Sequence, residues 1–167
     1  MPPPHLHLHD PSTGLKARPL VLGEVLWDVF PDSKRLGGAP LNFAAHARRM
    51  GHAPLLFSAA GNDDLGRRAV LEIQSLGLDT SLLQRTERFP TGRAAVSLDA
   101  LGQAAFRIER PAAYDAIRLS SGEIQTLQGW SPDWLYFGTL FSSRPEGRAI
   151  LLDALRFVAR GMVIGVQ

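Results

Sequence analysis

The first regular pattern along the chain is Pro19-Leu20-Val21-Leu22-Gly23-Glu24-Val25-Leu26-Trp27, a short, mostly apolar run that ends in charge. It predicts a buried parallel strand over 19–27. A turn at Pro31-Asp32-Ser33-Lys34 leads through Gly37-Gly38 to a predicted helix over 41–50, stopped by Gly51. Leu55-Leu56-Phe57-Ser58-Ala59-Ala60 reads as the next strand. The spacing of Leu65, Ala69, Ile73 and Leu76 places one apolar face on a helix over 65–76, ended by Gly77. Alternating strands and helices with short connections predict an α/β sheet.

The pattern then changes. Residues 94–99, a turn near Gly102 and residues 105–108 read as a β-hairpin with one covered and one solvated face. Such a hairpin interrupts the α/β alternation and could project from the sheet as a cover. Ser120 with Glu123, and Ser143 with Glu146, have capping-box spacing and announce two further helices. Pro145 suits the first turn of the second, and Leu151, Leu155 and Val158 follow at helical spacing. Residues 134–137 form a predicted strand between these helices, and 162–167 read as another. That last strand would leave an unpaired edge and uncovered apolar faces around Val163, Ile164 and Val166.

Composition mainly excludes. The 167 residues contain no cysteine, which removes disulfides, Cys-ligated metal sites and thiol nucleophiles and suits a reducing cytoplasm. No apolar run approaches the roughly 20 residues of a membrane helix. Residues 1–19 are non-periodic and read as a disordered leader, without the basic start or apolar centre of a signal peptide. His5, His7 and His9 would share one face of an extended segment and could hold a metal, though a solvated tail is the plainer reading.

Formal charge is only +2 although the pI is about 9.5. Lys16 and Lys34 are the sole lysines among 18 basic residues, so little titrates between neutrality and the arginine range. The arginines are interleaved with acids, as in Arg107-Ile108-Glu109-Arg110, and form no basic stripe. A nucleic-acid partner is not expected.

The usual phosphate-loop, dinucleotide, nucleophile-elbow and zinc-protease motifs do not occur. What remains lies around the first strand and helix. Asp28 sits just beyond the strand, where open α/β sheets place their ligand crevice. Gly37-Gly38 permits a close backbone approach, and Asn42 lies in the first turn of a helix rich in small residues. A carboxylate that accepts from hydroxyls, an amide that donates and accepts, and open space beside them suit a flat polyol. The same residues also suit a tight turn, a capping Asp28 and a helix-end Asn42. The residues alone do not choose.

The segment Gly37-Gly38-Ala39-Pro40-Leu41-Asn42-Phe43-Ala44-Ala45-His46-Ala47-Arg48-Arg49-Met50-Gly51 resembles the amino-terminal signature of the PfkB, or ribokinase-like, sugar kinases. Gly23 with Asp28 resembles that family's first strand and sugar-binding aspartate. Gly61-Asn62-Asp63-Asp64-Leu65-Gly66, Gly77-Leu78-Asp79-Thr80 and Thr91-Gly92 resemble later family segments in family order, the last leading into a substrate lid. Gly-Ala-Pro-Leu-Asn and Arg110-Pro111-Ala112-Ala113-Tyr114-Asp115 look most like the fructokinase branch.

The resemblance implies a three-layer α/β sheet with a small β lid near 92–109, within a partial domain over 20–167. It implies ATP-dependent phosphorylation of a sugar's primary hydroxyl, with fructose or a related sugar as substrate and Mg2+ as cofactor. Asp28, Gly37, Gly38 and Asn42 would hold the sugar, and Phe106 and Ile108 would line the lid side, unless the latter two simply pack the hairpin. Asp63 and Gly66 would shape a turn. Phe137-Gly138-Thr139 lacks the acidic contact typical of ribokinases proper, which points away from ribose. Family members are about twice as long, and their second half carries the anion hole, the catalytic base and most of the nucleotide site. The chain is therefore expected to correspond to the amino-terminal half, with no catalytic residue of its own. A non-catalytic sugar-binding or interaction module derived from a kinase half, and a nucleoside-type kinase of the same superfamily, are the alternatives. A homodimer through the lid, or a separate carboxyl-terminal half, would be the macromolecular partner.

Overall fold

A computed structural model describes residues 16–98, 103–158 and 163–166. The histidines of the leader, the hairpin tip near Gly102 and the side chains of 163–166 lie outside the described residues. Two sheets organise the chain. The larger is parallel and has five strands: β1 (Pro19–Leu22), β4 (Leu55–Gly61), β5 (Leu83–Thr86), β8 (Trp134–Gly138) and β9 (Val163–Val166), in the order β5-β4-β1-β8-β9. The smaller contains β2 (Leu26–Val29), β3 (Lys34–Gly37), β6 (Gly92–Leu98) and β7 (Ala104–Glu109), in the order β3-β2-β6-β7.

Side chains that alternate along the central strands divide the core in two. Val21, Leu56 and Tyr136 pack with Leu41 and Ala44 of α1 (Ala39–Arg49) and with Leu65, Ala69 and Ile73 of α2 (Asp64–Ser75). Leu20, Leu22, Phe57 and Leu135 face the other way. They meet Leu127 of α3 (Ser121–Trp130), Phe141 of α4 (Thr139–Ser142) and Leu151 of α5 (Pro145–Ala154). Helices thus cover both faces of a parallel sheet, as continuous apolar strands require. The three-layer expectation is met.

The structure corrects several sequence expectations. The run 19–27 is two strands in two sheets, because Gly23 turns the chain at φ 146°, a conformation that side chains rarely adopt. Leu26 to Val29 then pairs in parallel with β6 and antiparallel with β3, so Asp28 lies within a strand rather than just beyond one. The short strands β3 and β5 had no apolar signal of their own. Ser143 does not cap α5: its hydroxyl donates to the Leu140 carbonyl at 2.7 Å and accepts from Arg110 at 2.9 Å, leaving Arg144 as the cap residue. At the other proposed cap, the Glu123 carboxylate accepts from the Ser120 N–H at 3.0 Å. Part of the leader is docked, since Ala17 is buried and its N–H donates to His52 Nδ1 at 3.3 Å.

Asp63 joins three segments. Its carboxylate accepts from the Gly66 N–H at 2.7 Å, capping α2, and from the Thr91 N–H at 2.8 Å and hydroxyl at 2.6 Å, which fixes the start of β6. Partial burial pushes this carboxyl up, but the bonds from Thr91 and Gly66, with the nearby Arg93 charge, outweigh it and hold the group below its ordinary value. A carboxyl depressed in the folded state stabilises above its unfolded pKa, and that contribution is lost as pH falls through the folded one. Asp63→Ala is expected to cost about 2 kcal/mol, combining a lost cap with a stranded buried N–H. Denaturant melts from pH 7 to pH 3 should show the deficit shrinking with acid. A deficit independent of pH would contradict this role.

Candidate functional site

A cleft of about 330 Å³ opens between the two sheets. Its walls combine the turn after β1, the start of α4 just beyond β8, the start of α1 and the β2–β6–β7 face. Glu24, Asp28, Gly38, Asn42, Phe106, Ile108, Thr139 and Leu140 are among its lining residues. Five of the six residues expected at a binding site therefore converge here, from segments as far apart as Asp28 and Ile108.

Each is positioned by a local cause. Asp28 is held in β2 opposite Arg35 of β3 and Ala94 of β6. Burial raises its carboxyl above the ordinary value. Gly37, the sixth expected residue, does not line the cleft but lies beside Asp28: a side chain there would start 3.0 Å from the Asp28 Oδ2. Gly38 has φ 110° and stands so close to the Glu24 carbonyl that a Cβ would fall 2.5 Å from it. Only glycine suits both the conformation and the contact. It begins α1, with Pro40 in the first turn, and the Asn42 N–H donates to the Gly38 carbonyl at 2.9 Å, setting Asn42 at the cleft.

Phe106 and Ile108 alternate along β7 opposite Val96 and Ala94. They are 60% and 40% exposed, so packing within the hairpin does not account for them. They give the cleft an apolar wall facing the polar one.

Glu24 is the residue that sequence reasoning missed. It is only 5% exposed, and its Oε2 accepts from the Phe141 N–H at 3.2 Å. Desolvation raises its carboxyl, opposed by hydrogen bonds from its own and the Phe141 backbone N–H and by the Arg110 charge. Its only sequence signal was a charge inside an apolar run.

Behind the cleft, Arg110 pairs with Asp115 and donates to the Leu140 carbonyl at 2.9 Å, tying the end of β7 to α4. Burial pushes the neighbouring Tyr114 phenol up to about 12. Among the described residues, no group of three or more His, Asp or Glu side chains is placed to hold a metal ion. No helix there is long and apolar enough to cross a membrane.

The arrangement can grip a neutral, hydroxyl-bearing molecule between carboxylate and amide groups on one side and apolar side chains on the other. Comparison with known proteins agrees in kind. Residues 16–141 match the profile of the pfkB family carbohydrate kinases. The chain is 32% identical over 150 residues to a fructokinase of Salmonella typhimurium, covering 86% of this chain and 48% of that protein. Its fold resembles the Xylella fastidiosa fructokinase with bound ATP, with a TM-score of 0.79 at 23% identity, covering 90% of this chain and 48% of that one. It also resembles the Vibrio cholerae O395 fructokinase in its fructose-, ADP- and calcium-bound form, with a TM-score of 0.67 at 20% identity over 89% and 49% of the two chains. The chain spans about half the length of these relatives.

Proposed function

The chain belongs to the pfkB family of carbohydrate kinases, and from that premise we propose that its inter-sheet cleft is the acceptor-sugar site of a fructokinase-like enzyme. The reaction transfers a phosphoryl group from ATP to a primary hydroxyl of fructose or a closely related sugar. One observation carries the reading: Asp28, Gly38 and Asn42 line a single cleft with Phe106 and Ile108, although β4, α2, β5 and β6 separate the two groups along the chain.

Asp28 accepts from sugar hydroxyls through charge-assisted hydrogen bonds, the stronger kind. Asn42 serves hydroxyls that need a donor or an acceptor, and Gly38 keeps the wall open where a side chain would intrude. Phe106 and Ile108 cover the apolar C–H surface of the ring from the hairpin, the lid of the site. These groups orient the acceptor, which supplies the positional part of catalysis. ATP with Mg2+, when bound, supplies the phosphoryl group and neutralises its charge. Among the described residues no group of three or more His, Asp or Glu side chains is placed to hold that ion by itself.

Calorimetric titration of the protein with fructose and with ribose tests the reading. Saturable fructose binding at least tenfold tighter than ribose is expected. Equal affinity for the two, or no saturable binding of either, would overturn it.

A further inference from the structure

We propose that Glu24 is a second sugar-binding carboxylate of the cleft, a specificity residue that accepts from a sugar hydroxyl and turns away sugars carrying an acid group. The proposal rests on the reading of the cleft as a sugar site.

Glu24 lies in the turn that leaves β1 of the five-stranded sheet, whereas Asp28 belongs to β2 of the smaller one, so one acid enters the cleft from the connection between the sheets and the other from a strand. The space for the Glu24 carboxylate is made by Gly138 at the end of β8. A Cβ at Gly138 would fall 2.2 Å from the Glu24 Oε2 and 2.8 Å from Oε1. The carboxylate thus occupies the place of a side chain at the end of β8, and the next residues, Thr139 and Leu140, line the cleft with it.

Capping alone does not explain a carboxylate here. The Phe141 N–H and the residue's own N–H occupy two of about four acceptor positions on the group. A neutral amide would accept from Phe141 equally well without the cost of burying a charge. Among the described residues Glu24 has no ion-pair partner, because Arg110 spends its donors on Asp115, the Leu140 carbonyl and Ser143. Hydroxyls of a bound polyol would supply the missing donors. The same charge beside that of Asp28 makes the cleft repel an anionic ligand, and like charges in juxtaposition discriminate strongly.

The test compares fructose with gluconate, an anionic polyol of similar size, by calorimetry at about pH 8, using the wild-type protein, Glu24→Gln and Asp28→Asn. Wild type is expected to bind fructose at least tenfold tighter than gluconate. Glu24→Gln should weaken fructose about tenfold or more while leaving gluconate unchanged or tighter, so the preference collapses. A merely structural role would weaken both ligands alike and leave their ratio intact, and that result overturns the proposal. Should Glu24→Gln not fold, the wild-type preference decides: equal affinity for fructose and gluconate overturns it. If Asp28→Asn weakens fructose while Glu24→Gln changes nothing, the sugar-site reading stands and this proposal falls. If wild type binds neither ligand, both fall.

Discussion

Replacing Asp28 with asparagine is expected to remove most activity toward fructose from an enzyme that contains this chain and a matching carboxyl-terminal half. A hydrogen bond to a charged group is worth about 1.5–3 kcal/mol, or roughly ten- to 150-fold in kcat/KM. The loss can exceed that range if the bond also aligns the acceptor hydroxyl, because misplacement by about 1 Å can cost a further hundredfold. The substitution should spare the fold. Asp28 is held in β2 by backbone pairing with β3 and β6, which asparagine keeps. Its carboxyl is also raised by burial, so removing the charge relieves a desolvation cost rather than breaking an ion pair. The expected signature is therefore a collapse of kcat/KM with a thermal midpoint that is unchanged or slightly raised. Unchanged kinetics would remove Asp28 from the site.

Much of this was legible in the sequence, for identifiable reasons. The central strands announce themselves because both faces are buried, and their apolar runs are correspondingly continuous, as at Leu55-Leu56-Phe57. Helices α1 and α2 carry clear faces and stops. Asp28, Gly38 and Asn42 stood out as a carboxylate, a glycine and an amide near the first strand and helix, but the residues suited a tight turn equally well, and only the resemblance to the sugar kinases pointed to a sugar site. The division of 19–27 between two sheets was not legible, since a glycine at a positive φ looks no different in sequence from a glycine within a strand. Strands β3 and β5 carry Lys34, Arg35, Gln84 and Arg85 and lie at sheet edges, with Leu83 alone giving β5 a buried side chain. Ser143 keeps its capping-box spacing but is drawn away by the Arg110 guanidinium, a contact across 33 residues. Glu24 could be placed at the cleft only once the meeting of β1, β8 and α1 was known.

The largest effect expected is an absence of turnover. Phosphoryl transfer requires an aligned hydroxyl, a base to take its proton, and groups that neutralise charge on the transferred phosphate. Asp28, Gly38 and Asn42 meet the first requirement in this account. The family resemblance assigns the other two to a Gly-Ala-Gly-Asp segment, and the 167 residues contain none. Asp63 and Asp64 are no substitute, since Asp63 is committed to Gly66 and Thr91 and does not line the cleft. The decisive measurement is a coupled ADP-release assay on rigorously purified residues 1–167 with ATP, Mg2+ and fructose, alone and with the carboxyl-terminal half of a related fructokinase. No fructose-dependent ADP release is expected from the chain alone, and release is expected once the second half is supplied. Fructose-dependent turnover by residues 1–167 alone that disappears with Asp28→Asn would contradict it.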